Sequence, residues 1–182
     1  HRRLLGARPV PAAVTALSFD ETMSDGNGGT AAGAPLRLAI GLESGGWEVL
    51  HILLPDLGQK LLLTASAGAG DAPIDLRQPA AHRHPPSEPP RRVNDLRFSP
   101  DGRWLAVASA DATIHLHDTL DAAHARVARC CGHSSAVTHL DWTTTSDVLR
   151  SNDLGHELRF WDVPSGEPIT VASACRDLPW AT

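Results

Sequence analysis

The chain repeats itself at a fixed spacing, and such a period constrains a fold more tightly than local propensities do. The segment Val137–Trp142 matches Val93–Phe98 at an offset of 44 residues, and residues 160–162 match residues 116–118 at the same offset. A period of about 40 to 45 residues is typical of the four-stranded blade of a β-propeller. The repeat therefore predicts an all-β fold of four-stranded antiparallel blades.

A third copy lies upstream at a longer offset. Residues 47–49 match residues 114–116, which lie 67 positions later. The first strand of this copy is predicted at Val14–Phe19, and the Gly- and Ala-rich segment 21–35 separates it from the second strand. We therefore expect about three blades, which are too few to close a ring.

The expected organisation follows from these copies and from the composition between them. Proline is dense between residues 69 and 92 and has no N–H to donate to a sheet, so this stretch is predicted to be an exposed loop. Within the second blade, the Ser-Pro-Asp-Gly turn at residues 99–102 favours a hairpin. The four expected parts are a degenerate first blade with a Gly/Ala-rich loop insertion at 1–70, a Pro/Arg-rich loop at 71–92, a second blade at 93–136, and a third blade with the start of the next connection at 137–182.

Two short motifs bracket the last blade. It is opened by Gly132 and His133 and closes with Trp161 and Asp162. This combination resembles the signature of WD repeats. The resemblance implies a partial WD40 β-propeller with an incomplete ring.

The same resemblance implies a buried chain of hydrogen bonds that ties the blade together. His133 enters the blade, Ser151 lies on its second strand and Trp161 on its third, so each polar group would be satisfied by its neighbour. The turn position that WD repeats usually fill with Asp is Gly155 here. Either Asp153 substitutes for that Asp, or the chain of hydrogen bonds is broken.

The second blade is a degenerate copy of this pattern. It contains Asp111 and ends a strand with Asp118, but His117 occupies the position of the tryptophan. We predict a structural cluster of the WD type, important for folding, with these members: His133, Ser151, Trp161, Asp162, Asp111 and Asp118.

A closer resemblance covers residues 93–182. Residues 126–142 read RVARCCGHSSAVTHLDW, residues 151–162 read SNDLGHELRFWD, and residues 176–182 read RDLPWAT. These runs are similar to the middle part of the second propeller in the echinoderm microtubule-associated protein-like (EML) family. The resemblance implies two tandem propellers that bind tubulin or microtubules in the spindle, the interphase array or the cilium.

One group of residues offers zinc-ligand types. Cys130 and Cys131 precede His133, and His139 is nearby. Adjacent residues on a strand point to opposite faces, however, and the repeat already explains the histidine. We therefore predict a structural role and no metal site.

Other histidines also have a plain structural interpretation. His115 and His117 share one strand face and could bind a metal or titrate near neutral pH, but we favour a solvated or inter-blade face. His82 and His84 lie in the proline-rich loop and are expected to be exposed.

No catalytic apparatus or cofactor site is predicted. His133, Ser134 and Asp141 include the residue types of a hydrolase, but no nucleophile elbow surrounds the serine. The glycine-rich run at residues 26–29 lacks the Lys-Ser/Thr and the strand-to-helix context of a phosphate loop.

Charge and cysteine content limit the expected partners and location. A formal net charge of -5 argues against a nucleic-acid binder. Three cysteines, two of them adjacent, favour a reducing compartment, and no apolar run is long enough to span a bilayer. The expected location is therefore the cytoplasm, and the resemblance to the EML family implies the microtubule cytoskeleton, with the cilium or axoneme included.

The locally basic stretch offers a candidate docking loop. It contains Arg77, Arg83, Arg91 and Arg92, which could be attracted weakly to the acidic microtubule surface, although a solvated loop is the interpretation we favour.

The function predicted from the sequence is a non-catalytic scaffold that binds tubulin or microtubules. The alternative is a general WD40 adaptor in an unrelated complex. Because the chain begins at His1, it is expected to be an excerpt of a longer polypeptide. The remaining blades of the same chain, or another chain, are expected to cover the open faces of its end blades.

Overall fold

The computed structural model describes residues 10, 12–20, 22, 36–53, 62–65, 91–121 and 124–182. This part of the chain contains eleven β-strands and a short 3₁₀ helix at Ala172–Cys175. The strands are β1 (Val14–Phe19), β2 (Leu36–Leu42), β3 (Trp47–Leu53), β4 (Leu62–Ala65), β5 (Val93–Phe98), β6 (Trp104–Ser109), β7 (Thr113–Asp118), β8 (Arg126–Cys131), β9 (Val137–Trp142), β10 (Val148–Asp153) and β11 (Leu158–Asp162).

The strands form three antiparallel sheets in chain order. Strands β1 to β4 form the first sheet, β5 to β8 the second and β9 to β11 the third, and each strand pairs with its neighbours in sequence. The all-β prediction is confirmed. In the described residues the three sheets do not close a ring. None of the helices in that part has the length and apolar character that a membrane crossing needs.

The third sheet has three strands where four were predicted. After β11 the chain returns to it through a bridge between Trp161 and Pro168 and through the Ile169 N–H, which donates to the Phe160 carbonyl at 2.8 Å. Pro164 and Pro168 carry no backbone N–H, so this segment cannot sustain a regular ladder.

The sheets stack face to face through their first two strands. Strand β5 packs against β1 and β2, and β9 packs against β5 and β6. The core between the first two sheets consists of Ala39, Trp47, Val49, Val93, Leu96, Phe98, Leu105 and Val107. The core that joins the second and third sheets includes Trp104, Ala106, Ala108, Ile114, Leu116, Cys130, Val137, Leu140, Trp142, Leu149, Trp161 and Val163.

Burial within the second sheet reflects its central place. Nearly every residue of β6 and β7 is buried, because these strands have a neighbouring sheet on each face. Strand β8 exposes most of its residues, as expected for the last strand of a sheet. Apolar residues therefore need not alternate with polar ones in β6, which reads WLAVAS.

A buried ion pair also joins the first two sheets. The guanidinium of Arg37, on β2, bonds the carboxylate of Asp20, and its Nε lies 2.6 Å from Asp20 Oδ2. The same guanidinium donates to the Gly102 carbonyl at 2.6 Å and to Thr119 Oγ1 at 3.0 Å, both in the second sheet's loops. Arg37 thus has partners on both sheets.

Several sequence predictions lie outside the described residues. They concern the glycine-rich run at 26–29, most of the proline-rich loop, and the side chains His82, His84, Arg77 and Arg83.

Candidate functional site

The third sheet contains a continuous line of polar side chains in its interior. The indole Nε1–H of Trp161 donates to Ser151 Oγ at 2.8 Å, and Ser151 Oγ lies 2.6 Å from His133 Nε2. On the other side of the ring, His133 Nδ1 lies 3.2 Å from Asp153 Oδ2. All four side chains are buried. We call this set the His133–Trp161 relay.

The donors and acceptors of the relay fit one neutral tautomer of His133. Ser151 accepts the indole hydrogen, and its own hydrogen is free to go to His133 Nε2. In this arrangement Nε2 is the unprotonated nitrogen, and Nδ1 carries the proton that faces Asp153. The arrangement pairs a neutral imidazole with an ionised carboxylate.

The electrostatics of the site favour these charge states. Burial lowers the pKa of His133, and this effect outweighs the neighbouring Asp153 carboxylate, which raises it. Burial alone would raise the pKa of Asp153, but hydrogen bonds from the Glu157 amide, His133 and the Ser135 amide hold it below the ordinary value.

The sequence left open whether Asp153 replaces the usual Asp or the chain of hydrogen bonds is broken. In the structure, Asp153 supplies the carboxylate. It accepts the Glu157 N–H at 2.9 Å and the Ser135 N–H at 3.2 Å, so it also fixes both flanking loops. Gly155 lies beside it, and a Cβ at Gly155 would meet Asp153 Oδ1 at 3.3 Å. The side chain that completes the relay thus lies two positions before the usual Asp.

The structure does not bring the other three predicted cluster residues to the relay. Asp111 lies in a turn, whereas Asp118 and Asp162 are the last residues of β7 and β11, and each carboxylate binds locally. Asp162 accepts the Ser165 hydroxyl at 2.6 Å, Asp111 accepts the Thr113 hydroxyl at 2.6 Å, and Asp118 accepts the Leu120 N–H at 2.9 Å. These three carboxylates therefore lie outside the His133–Trp161 relay.

The second sheet replaces the relay with contacts to the first sheet. His117 occupies the tryptophan position and donates its Nδ1–H to the His124 carbonyl at 2.9 Å. Its ring meets Trp47 of β3 edge-on, with 4.6 Å between ring centroids. His115 is buried on the same strand, 3.3 Å from Thr113 Oγ1. This strand face is an inter-blade face and not a solvated one.

The cysteine motif does not present a pair of thiolates. Cys130 is buried and Cys131 is exposed, as strand alternation requires. Burial raises the pKa of the Cys130 thiol to about 12, so this thiol stays protonated at neutral pH. Its environment does not favour a metal ligand.

The hydrolase residue types also lie in separate interactions. Ser134 is exposed and donates to Glu157 at 2.9 Å, whereas His133 binds Ser151. Asp141 holds Arg150 through two nitrogens, at 3.0 and 2.5 Å. Ser134, His133 and Asp141 therefore do not form a charge relay for nucleophilic attack.

One group of side chains has the composition of a cation site, and sequence reasoning missed it. His133 Nδ1 and carboxylate oxygens of Asp153 and Glu157 lie within 4.8 Å of one another. Glu157 also accepts the Ser134 hydroxyl at 2.9 Å and the Arg159 Nε–H at 3.1 Å. These internal bonds explain the grouping without an ion. The spacing of His133 from Asp153 and Glu157 carries no sequence signal, because the residues meet only through the fold.

Of the candidate docking loop, only the last two residues belong to the part of the chain that the structure describes. Arg91 and Arg92 directly precede β5 and are exposed. They are positioned beside the entry to the second sheet, where a partner can reach both guanidinium groups.

Comparison with known proteins agrees with this geometry. The family model for the WD domain, G-beta repeat, matches residues 82–118. The solved C-terminal WD40 domain of Sif2 superposes with a TM-score of 0.60 over 85% of this chain and 35% of that chain, at 16% sequence identity, which supports the fold alone. The chain contains a segment that matches the WD repeat, and its stacked antiparallel sheets have the fold of part of a WD40 β-propeller.

Curated relatives narrow the class further. The chain is 33% identical over 147 residues to the 77 kDa echinoderm microtubule-associated protein of Strongylocentrotus purpuratus, and the match covers 80% of this chain but 18% of that protein. It is 41% identical over 94 residues to echinoderm microtubule-associated protein-like 4 of Xenopus tropicalis, covering 50% of this chain and 10% of the relative. The chain therefore resembles the EML family, as its sequence predicts, and spans less than a fifth of these relatives.

Proposed function

We propose that this chain is a non-catalytic, protein-binding part of a microtubule-associated scaffold of the EML type. The proposal rests on one observation: the buried polar side chains of the third sheet bind one another. In the described part of the third sheet, His133, Ser151, Asp153 and Trp161 bind one another inside the sheet. Side chains that are committed to tying strands together leave recognition to the loops and exposed edges.

The microtubule as partner is carried over from the names of the relatives. Both proteins compared above are named as microtubule-associated. Tubulin presents an acidic surface, so exposed guanidinium groups are the side chains expected to meet it. Arg91 and Arg92 are exposed and adjacent, and the proposed contact therefore lies at the entry to the second sheet. Arg77 and Arg83 belong to the same proposed loop.

The location follows from the partner. A scaffold of this kind would lie on cytoplasmic microtubules, and the axoneme is the second place to look for it. Nucleic acid and membrane lipid are not proposed as partners, since the chain has a net charge of -5.

Co-sedimentation with polymerised tubulin tests the proposal. We expect the chain to pellet with microtubules, less at higher salt, because screened attraction contributes to the contact. The double variant Arg91→Glu/Arg92→Glu should weaken pelleting, whereas the exposed Arg176→Glu, in the segment after the third sheet, serves as the matched control. Failure of the unaltered chain to pellet at low salt would contradict the microtubule proposal.

The same experiment distinguishes a microtubule-associated scaffold from the alternative, a general WD40 adaptor. A general WD40 adaptor would keep its folded sheets and bind other proteins, yet remain in the supernatant with polymerised tubulin. Unchanged pelleting of the double variant across salt concentrations would leave microtubule binding in place but remove the arginines from the contact.

A further inference from the structure

Among the described residues, the third sheet has three strands, whereas each of the other two sheets has four. In the second sheet, the Asp118 N–H donates to the Ala125 carbonyl at 3.1 Å, and β8 follows directly. In the third sheet, the Asp162 N–H donates to the Glu167 carbonyl at 2.9 Å. Because these two contacts are equivalent, the counterpart of β8 is the stretch 168–173, which we call the fourth-strand segment.

The fourth-strand segment begins to pair with β11 and then leaves it. The bridge between Trp161 and Pro168 is the first pair of an antiparallel ladder. Beyond it, a groove of about 410 Å³ lies between residues 168–170 and residues 157–160. In the part of the chain that the structure describes, β10 is the one regular strand paired with β11. The ladder on the other edge of β11 is therefore open after its start.

The composition of the fourth-strand segment favours a strand. Ile169, Thr170 and Val171 are β-branched, and such residues are enriched in strands. The two prolines that disturb the ladder lie at or before the first residue of the segment, and residues 169–178 contain none. Even so, the Val171 side chain is 60% exposed, and a 3₁₀ helix follows at Ala172–Cys175. The cause of the open ladder must lie further along the chain.

The chain after this helix runs across the third sheet. The Thr144 N–H, just beyond β9, donates to the Pro179 carbonyl at 2.9 Å. The Ala181 N–H donates to the Trp142 carbonyl, on β9 itself, at 2.9 Å. Since the strand order is β11-β10-β9, the chain has crossed the full width of the sheet. We call residues 176–182 the strap.

Trp180 fastens the strap to the middle of the sheet. The Arg150 guanidinium, on β10, lies over the Trp180 ring at 4.2 Å from its centroid. The ring of Phe160, on β11, lies 5.8 Å from the Trp180 ring between centroids. Asp141 holds Arg150 through two guanidinium nitrogens. The strap therefore has contacts with all three strands.

The strap and a complete fourth strand exclude each other. By the register of β8 on β7, a complete strand would end at Ser173 beside Glu157, at the opposite end of the sheet from Thr144. The straight line from there to Pro179 is about 22 Å, with strands about 4.8 Å apart and a rise of about 3.3 Å per residue. The six peptide steps from Ser173 to Pro179 reach only about 20 to 22 Å when fully extended. No length remains for a path over the side chains of the sheet.

We propose that the fourth-strand segment and the strap form a two-state switch. In the state that the structure shows, Trp180 packs on Arg150 and the ladder is open. In the other state the strap is released, residues 169–173 pair with β11, and Arg150 and Phe160 lose the cover of Trp180. Any contact that favours one state shifts the population towards it. This proposal goes beyond the proposed function and does not depend on tubulin binding.

NMR of the 182-residue chain tests the switch. Trp180→Ala removes the main side-chain contact of the strap and should give residues 169–173 strand-like chemical shifts. In the completed antiparallel ladder, the Val171 N–H donates to the Leu158 carbonyl. Hydrogen exchange at Val171 should therefore slow at least about tenfold in the variant. The control is Leu120→Ala, at a 72% exposed site outside the strap, which should change neither signal.

Two further substitutions separate strand formation from simple release. Val171→Pro removes the N–H that the completed ladder needs, so the double variant Trp180→Ala/Val171→Pro should have a free strap and no fourth strand. Arg150→Lys keeps a positive charge beside Asp141 but removes the planar guanidinium from Trp180. It is a milder release and should shift the same signals in the same direction.

The shifts of β9 to β11 verify that the sheet stays folded in each variant, and Arg150→Lys decides the test if Trp180→Ala does not fold. Strand-like shifts at residues 169–173 that appear on release and are absent from the double variant would support the switch. Unchanged shifts there after release, or strand-like shifts that persist with Val171→Pro, would overturn it.

Discussion

Trp161 Nε1 lies 2.8 Å from Ser151 Oγ in the interior of the third sheet, where both side chains are buried. Ser151 connects this indole to His133, and His133 faces Asp153. The loop before β9, strand β10 and strand β11 are thereby joined through side chains as well as through the backbone ladder. Breaking the relay at different points should have different costs.

Removing the indole should have the largest effect. We expect Trp161→Ala to lower the free energy of unfolding by on the order of 3 to 5 kcal/mol, because a buried aromatic side chain is lost. Trp161→Phe keeps most of the ring but not the N–H, and should cost about 1 to 2 kcal/mol. Chemical denaturation followed by circular dichroism measures both, with the exposed Leu120→Ala as control. An unchanged free energy in Trp161→Ala would show that the indole is not buried.

The importance of the position of the Asp153 carboxylate can be tested by moving a carboxylate to residue 155. Asp153→Ala leaves the His133 Nδ1–H and two backbone amides without their acceptor and should cost about 2 to 4 kcal/mol of the unfolding free energy. Adding Gly155→Asp to that variant places an Asp at the usual WD-repeat position and should recover part of the loss. A double variant no more stable than Asp153→Ala would mean that the turn cannot aim a carboxylate from residue 155.

The pH dependence of stability follows from the lowered pKa of His133. The unfolded chain takes up a proton near the ordinary value of 6.5, whereas the buried ring in the folded chain resists it. Stability is therefore fully present above that pH and declines as the pH falls below it. His51, whose pKa is lowered by burial and by Arg37, acts in the same direction.

Denaturation between pH 7.5 and pH 5 of the unaltered chain and of His133→Gln measures this contribution. The variant should be less stable at neutral pH and should lose less stability on acidification. Equal pH slopes for the two proteins would contradict the assignment of a neutral, buried His133.

The ion pair between the first two sheets should matter far more than an exposed one. Arg37→Met leaves the buried Asp20 carboxylate without its guanidinium and is expected to cost on the order of 3 to 5 kcal/mol of the unfolding free energy. Arg103 lies 3.7 Å from Asp118 and is largely exposed, so Arg103→Met should cost about 1 kcal/mol or less. Similar losses in the two variants, measured by urea denaturation, would contradict this difference.

The repeat made the strands of this chain readable from its sequence. The predicted first strand Val14–Phe19 coincides with β1, and the two segments that match each other in the repeat, Val93–Phe98 and Val137–Trp142, coincide with β5 and β9. Such agreement is expected where the apolar pattern and the period point to the same elements. The fourth strand of the last blade was not readable, because Pro164 and Pro168 break its ladder in a way that the period does not encode.

The site was only partly predictable for a related reason. His133, Ser151 and Trp161 stand at positions set by the repeat, whereas the carboxylate depends on the path of the turn after β10. His156 in that turn has a positive φ of 64°, which no local sequence pattern predicts. Arg37 was missed because it lies alone in an apolar strand that reads LRLAIGL, and its partner Asp20 lies 17 positions earlier in the sequence.

The central claim is that repeated sheets stack through equivalent positions, and amide-resolved NMR of the chain tests it most directly. We predict cross-peaks between Thr15 and Val93 and between the Asn94 side-chain amide and Val137, together with strand-like chemical shifts from β5 to β11. Helical shifts across residues 95–162, or strand shifts without either inter-sheet cross-peak, would contradict the account.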